Sequence, residues 1–266
     1  MESTSVLYEK EGHIATITLN RPEIRNAIDE EMAMAIEAAV DRAGGDDEVW
    51  VVVVKAVGKS FCAGVDLSYL VEHASGTGEG AVERGVNRNG HIGWSAYRLF
   101  SLEKPTIAAV RGHAFGGGLG IALACDIRIA ADDAQLSAVF TKRGLAPDSG
   151  TSYFLVQSVG YAKACELAFT ARTVDAAEAE RLGLVNRVVP IEQVDAEAMR
   201  MAQEIVQQAP VALRMAKRAL RRRMEDDVLS AFEYELYVNT ICGHTQDLAE
   251  GGKAFLEKRP PRWLGR

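Results

Sequence analysis

The chain has 266 residues, with 30 Lys and Arg against 37 Asp and Glu, a formal net charge of −7. That length suits one large domain, or one domain with a small appendage. Apolar residues at 48 % and charged residues at 25 % exclude a disordered or fibrous chain, and the acidic balance argues against broad nucleic-acid binding, which needs a basic face.

Residues 1–5 carry no basic-then-apolar leader, and no apolar run approaches the length of a membrane span. The sequence therefore predicts a cytoplasmic protein without a membrane anchor. Cys62, Cys125, Cys165 and Cys242 lie far apart and form no CxxC pair, so no sequence-local zinc knuckle or thioredoxin motif is present and no metal is expected. All four thiols are expected to be reduced and to act as small buried hydrophobes.

Along the chain, residues 13–20 put Ile14, Thr16, Thr18 and Asn20 on one face and Ala15, Ile17 and Leu19 on the other. This predicts a half-buried strand, hairpinned to residues 4–9 through Glu11 and Gly12. From Asp29, apolar residues at Met32, Ile36, Ala39, Val40 and Ala43 make a helical stripe that Gly44 and Gly45 stop. Residues 50–54 are continuously apolar, as in a strand covered on both faces, and strand, helix, strand predicts a right-handed parallel crossover. Residues 74–93 are polar, crowded with glycine and without a steady period, which predicts a loop, a lid or a disordered insertion.

Order resumes with a buried strand at 106–110, a glycine-rich turn at 112–118, a helix at 119–125 and a short strand at 126–130. Pro147 to Gly150 starts a helix running to about Val159. Asp175 and Glu178 have the spacing of a capping box, with Gly183 closing that helix, and residues 185–189 read as a strand before Pro190. Beyond Pro190 the composition is helical, Pro210 separating two helices. A shift near residue 192 divides a core at 1–191 from a helical C-terminal region at 192–266.

Two turns point to chemistry. In the first, residues 110–120, strand, glycines and helix leave backbone N–H groups at the helix start without intrahelical partners. Those donors and the positive dipole end favour an anion or a developing oxyanion. A strict GxGxxG is absent, the P-loop pattern around Gly58-Lys59-Ser60 lacks its first glycine, and no GxSxG occurs. The alternative, close helix–strand packing, accounts for one or two glycines but not for so many. The second turn, residues 61–67, follows the apolar strand and offers an N–H near Val65 at the carboxyl end of a parallel sheet, where ligands of α/β proteins bind. One main-chain donor from each turn makes an oxyanion hole.

Asn20-Arg21-Pro22 with Asn26-Ala27, then residues 61–66, residues 105–118, residues 124–130, Gly183-Leu184-Val185 and the ending Ala254 to Arg259 together resemble the enoyl-CoA hydratase/isomerase, or crotonase, superfamily. The resemblance spans nearly the whole chain in order. It implies an α/β, ClpP-like spiral of ββα turns with a helical C-terminal trimerisation region, assembled as a homotrimer or a hexamer of two trimers. It also implies an acyl-CoA thioester substrate, with coenzyme A arriving as part of the substrate and no separate cofactor. By position the oxyanion donors are the N–H groups of Val65 and Gly117. The CoA contacts fall on Arg25, Ala63, Val65, Asp66, Leu67, Gly117, Phe255 and Lys258, the last two reaching a neighbouring subunit's CoA.

A typical hydratase of this kind carries two glutamates, at positions that here are Gly120 and Phe140. Neither carboxylate exists, so two-glutamate water addition is not expected from those residues. One family carboxylate remains. Asp148, within Phe140 to Leu155, matches the acid/base aspartate of dienoyl-CoA isomerases and most resembles that of the 1,2-epoxyphenylacetyl-CoA isomerase type. A carboxylate beside an apolar acyl pocket is expected to hold its proton more tightly than usual. Its structural alternative is a helix N-cap.

The favoured expectation is an isomerase acting on an unsaturated or epoxide-bearing CoA thioester through an enolate. The alternatives are an enoyl-CoA hydratase and a non-catalytic acyl-CoA binder. A dehalogenase, which pairs such an aspartate with tryptophan, is disfavoured by Phe140. Trp94 and His91 are expected to pack or face solvent, and Asp66 to serve the turn. His113 reads as a satisfied structural histidine, and the run Arg214, Lys217, Arg218, Arg221 as a solvated face.

Overall fold

The computed structural model describes residues 4–66 and 92–265. Most of the glycine-crowded stretch, together with Leu67 and His91, lies outside those residues.

Strands β1 (Val6–Glu11) and β2 (Ile14–Leu19) form the expected antiparallel hairpin, with Gly12 at φ +55° in its turn. β2 is buried along its whole length, Thr16 and Thr18 included, and not on one face alone. The reason is non-local. Helix α1 (Glu30–Gly45) packs Met32, Ile36 and Val40 with Ala15, Ile17 and Leu19. On the other face Ile14 joins a core that includes Val194 and Ala198, from the far end of the chain. The Asp29 carboxylate starts α1 by accepting the Met32 N–H at 2.9 Å.

β3 (Val51–Ala56) lies parallel to β2, and β4 (Thr106–Val110), after helix α2 (Trp94–Ser101), lies parallel to β3. Then come β5 (His113–Phe115), which was not expected within the glycine turn, α3 (Gly117–Ala124), β6 (Ile127–Ala131) and β7 (Gln135–Ser137). Helices α4 (Thr151–Val159) and α5 (Tyr161–Thr170) precede β8 (Val174–Asp175), α6 (Ala176–Leu182) and β9 (Arg187–Val189). The chain ends in α7 (Val194–Ile205), α8 (Pro210–Arg221), α9 (Glu225–Gly243) and α10 (Gln246–Leu256).

The strands divide between a six-stranded sheet, β1-β2-β3-β4-β6-β9, and a three-stranded one, β5-β7-β8. β4 and β5, then β6 and β7, each give one strand to either sheet, so the chain advances as the spiral expected from its sequence. Among the described residues, an isolated bridge from Cys62 to Ala114 ties an earlier turn to β5 of the smaller sheet, and another from Ile28 to Val65 joins two loops.

Helix α7 lays Val194, Ala198 and Ala202 on Val51, Val53, Ile107 and Ile129 of the large sheet. The hydrophobic core thus continues past residue 191, where the composition changes. The basic run on α8 is not a solvated face as a whole. Lys217 is 7 % exposed, with its Nζ 2.7 Å from Asp126 Oδ2 and donating to the Lys104 carbonyl at 2.9 Å. Arg221 donates to the carbonyls of Phe100 and Leu102, which α2 leaves open at its C-terminal end. Long basic stems are buried here because their heads meet acceptors. At α6 the Asp175 carboxylate accepts the Glu178 N–H at 2.8 Å, while Glu178 turns its own carboxylate to Arg172, so only half the capping box forms.

Cys62 and Cys125 are buried as expected, whereas Cys165 and Cys242 are only partly buried. Among the described residues, no helix is long and apolar enough to cross a membrane.

Candidate active site

Gly116, at φ +53°, turns the chain from β5 into α3, and Gly117 is the first helical residue. Its N–H has no carbonyl to meet inside the helix. The second turn comes just after β3. Ile28 N–H donates to the Gly64 carbonyl at 2.8 Å and Asp66 N–H donates to the Ile28 carbonyl at 2.7 Å, a bridge that passes over the N–H of Val65. Among the described residues, neither Val65 N–H nor Gly117 N–H donates to a backbone carbonyl. The turns touch. A Cβ on Gly64, at φ +96°, would stand 2.8 Å from Phe115 O and 3.6 Å from the Gly117 nitrogen.

The glycines of α3 record what packs on it. A Cβ at position 118 would fall 2.4 Å from the Cys62 carbonyl oxygen, and one at position 120 would fall 2.4 Å from the Ser149 carbonyl oxygen. One at position 117 would meet Ser149 Oγ at 3.2 Å. Three segments, 62–65, 116–120 and 148–150, therefore converge on the start of α3. The same contact explains the missing carboxylate at Gly120, because any side chain there would displace the turn that carries Asp148. Phe140 is buried beside Gly116, its ring edge 3.8 Å from where a Cβ on that glycine would lie.

Asp148 does not cap α4 with its side chain. The N-cap is Gly150, and Thr151 N–H bonds to the backbone carbonyl of Asp148 at 2.8 Å. The partly buried carboxylate instead accepts Ser149 Oγ–H at 2.8 Å, with Asn239 Nδ2 at 3.5 Å from its other oxygen. Burial pushes its carboxyl up from 3.8 to about 6, against the pull of the Ser149 hydroxyl. A carboxylate so placed exchanges protons near neutral pH.

A second carboxylate stands behind it. Glu235 of α9 is 3 % exposed and accepts Gly150 N–H (2.8 Å), Ser152 N–H (3.0 Å) and Ser152 Oγ–H (2.5 Å). Burial raises its carboxyl to about 7, the Ser152 hydroxyl opposes this, and the charge of Asp148 adds to the rise. Sequence reasoning missed it because an acidic residue on a C-terminal helix reads as solvated. The available signal was its place in the stripe Val228, Phe232, Glu235, Asn239, whose first two members are buried apolar residues.

The remaining sequence-derived residues separate into two groups. Arg25 is exposed, and its carbonyl accepts the Ala63 N–H at 3.0 Å, which sets Arg25, Ala63, Val65 and Asp66 around one turn beside Gly117. Buried Asn26 pins that turn through the Ser60 and Val57 carbonyls. Asp66 serves it through Arg21, 3.5 Å away, and His113 bonds Ser60 Oγ at 2.9 Å. Phe255 and Lys258 lie elsewhere, with Lys142 and Arg143 around a surface cavity of about 280 Å³. The Arg143 guanidinium stacks 4.1 Å above the Phe255 ring. Trp94 packs, as expected, against Tyr97 and Phe232.

The sequence profile of the enoyl-CoA hydratase/isomerase family matches residues 9–266. The chain is 38 % identical to the short-chain-enoyl-CoA hydratase of Clostridium acetobutylicum, covering 97 % of each protein. It is 34 % identical to the crotonyl-CoA hydratase of Syntrophomonas wolfei over the full length of both. The solved carnitinyl-CoA hydratase of Mycobacterium avium superposes with a TM-score of 0.86 at 34 % identity, covering 99 % of this chain and 100 % of that one. These relatives carry hydratase names, which favours the hydration reading over the isomerase reading drawn from the sequence. On profile, identity and superposition together, the chain belongs to the enoyl-CoA hydratase/isomerase family, within the crotonase superfamily.

Proposed function

We propose that this enzyme binds an acyl-CoA thioester with its carbonyl oxygen between the N–H groups of Val65 and Gly117, and that Asp148 moves a proton on the acyl chain. Two preorganised donors at a helix start favour the enolate over the neutral thioester, and losing one such donor typically costs about 2.7–4 kcal/mol of transition-state stabilisation. The Asp148 carboxylate takes a proton from the carbon next to the carbonyl, and the electron pair moves onto the thioester oxygen. With a β,γ-unsaturated thioester the same carboxyl group then returns the proton to the γ carbon, shifting the double bond; with a β,γ-epoxide the enolate electrons break the neighbouring C–O bond and the freed oxygen takes that proton. Nothing is added or lost, so the outcome is isomerisation of an unsaturated or epoxide-bearing thioester. One observation carries this reading: the family carboxylate positions hold Gly120 and Phe140, while Asp148 sits with a raised carboxyl on the turn packed against Gly117 and Gly120.

Hydration of a 2-enoyl-CoA is the second reading, supported by the names of the relatives. In it Asp148 activates water, for which a carboxyl titrating near 6 is equally suited. Phe255 and Lys258 support a further part of the proposal. Exposed beside two more basic residues, they suit the phosphates and adenine of a CoA bound by a neighbouring subunit in a trimer or hexamer.

A thioester panel discriminates the readings. Crotonyl-CoA, β,γ-unsaturated and epoxide-bearing thioesters are offered to the wild type and to Asp148→Asn. Isomer formation without oxygen uptake from labelled water supports the first reading. Label in a 3-hydroxyacyl product supports the second. Tight binding with no turnover across the panel overturns both in favour of a binder.

A further inference from the structure

The turn bearing Asp148 is not self-supporting. Ser149 and Gly150 are consecutive left-handed residues, at φ +55° and +72°, and Ser149 is not a glycine. Such a residue persists only where its surroundings over-determine it. Helix α4 has no capping side chain of its own, so the N–H groups of Gly150 and Ser152 need acceptors from elsewhere.

Helix α9 supplies what is missing on both flanks. Beyond Asp148, Glu235 accepts the Gly150 N–H through one oxygen and both the N–H and O–H of Ser152 through the other. Before Asp148, Asn239 pairs with both backbone groups of Ala146: its Oδ1 accepts the Ala146 N–H at 2.9 Å and its Nδ2 donates to the Ala146 carbonyl at 3.1 Å. That Nδ2 also stands 3.5 Å from Asp148 Oδ2. Glu235 and Asn239 are four residues apart and share a helix face. Phe232, one turn earlier, closes on Gly150, with a ring carbon 2.5 Å from where a Cβ would lie. Of the titratable groups on α4 and α9, Glu235 faces Asp148, while Tyr153 and Asp227 face one another.

We propose that Glu235 and Asn239 are positioning residues, a clamp by which the C-terminal helix holds the Asp148 turn against the start of α3 and fixes the carboxylate beside the oxyanion donors. The proposal rests on the reading of Asp148 as the acid/base. An apolar pair on this face of α9 would leave those main-chain groups without partners. This pair satisfies four of them on both flanks of one carboxylate: the N–H groups of Gly150 and Ser152 and both groups of Ala146.

The test compares full-length wild type, Asn239→Ala, Glu235→Gln and Asp148→Asn. It reads kcat and KM on the best thioester of the panel and the titration of the Asp148 carboxyl carbon by NMR. Each clamp variant is expected to lower kcat tenfold or more with KM changed less than twofold. The charge of Asp148 raises the Glu235 carboxyl, so in the wild type the two carboxyls are expected to release their protons in coupled steps. Glu235→Gln is expected to leave Asp148 a single step, and Asn239→Ala to move its step to higher pH by removing a donor that favours the ionised form. Partly buried Asn239 keeps the test open should Glu235→Gln fail to fold. Clamp variants that lose thermal stability yet keep the wild-type kcat and Asp148 titration overturn the clamp. Full turnover in Asp148→Asn overturns the acid/base reading instead, and the titration shifts then still decide whether α9 holds the carboxylate.

Discussion

Replacing Asp148 by Asn is expected to make the protein more stable and to stop it working. Burial raises the carboxyl from 3.8 to about 6, and the difference corresponds to about 3 kcal/mol at roughly 1.4 kcal/mol per pH unit. Because the carboxylate is only partly buried, water screens part of this, leaving about 1–3 kcal/mol. The folded state holds this proton more tightly than the unfolded chain, so the contribution to stability is fully present below about pH 4. It is lost as the pH rises to about 6 and stays lost above that. The amide has no charge to desolvate and still accepts the Ser149 hydroxyl through its oxygen. Urea unfolding at pH 4 and pH 8, with turnover measured on the same samples, checks the expectation. The variant is expected to match the wild type at pH 4 and exceed it by about 1–3 kcal/mol at pH 8, with kcat reduced at least a hundredfold. Equal stability at both pH values, or undiminished turnover at pH 8, would refute the reasoning.

Other outcomes follow from the same geometry. In the proposed reaction Asp148 acts first as a base and must be ionised in the free enzyme, so kcat/KM is expected to fall below about pH 6, as a pH–rate profile will show. Gly120→Ala drives a methyl group against the Ser149 carbonyl oxygen at 2.4 Å. The expected cost is about 1–3 kcal/mol in denaturant unfolding, with a fall in kcat as the Asp148 turn is displaced. Burial pushes the thiols of Cys62 and Cys125 up to about 12. An aromatic disulfide reagent at pH 8 is therefore expected to titrate Cys165 and Cys242 in the native protein, and the other two only after unfolding.

The local patterns that the sequence displays are the ones the structure repeats. The stripe from Met32 to Ala43 becomes α1 with its Asp29 cap, and the apolar run at 50–54 becomes the first four residues of β3 with Trp50 just before them. What a linear reading loses is contact between distant segments. β2 alternates as a half-buried strand does, yet its second face is covered by residues near 194–198. Lys217 and Arg221 look solvated until Asp126 and the open end of α2 meet them. The site divides in the same way. Residues 61–66 and 110–120 announce themselves through glycine and strand-to-helix order, and Asp148 through its motif. Glu235 and Asn239, more than eighty residues downstream of the turn they hold, have no local pattern except polar residues within a buried stripe. Gly120, read from the sequence as a missing acid, proves to be the space into which Ser149 packs.

Spectroscopy of a bound thioester carbonyl tests most directly whether the Val65 and Gly117 N–H groups grip its oxygen. An acyl-CoA labelled with ¹³C at the thioester carbonyl is bound to Asp148→Asn protein, selectively ¹⁵N-labelled on valine and glycine. Infrared difference spectra give the carbonyl stretch and NMR gives the amides. Grip by both donors predicts a stretch moved well below its frequency in water, with the Val65 and Gly117 amide protons displaced downfield together. A carbonyl frequency unchanged from water, with both amides unmoved while the ligand is demonstrably bound, would contradict the account.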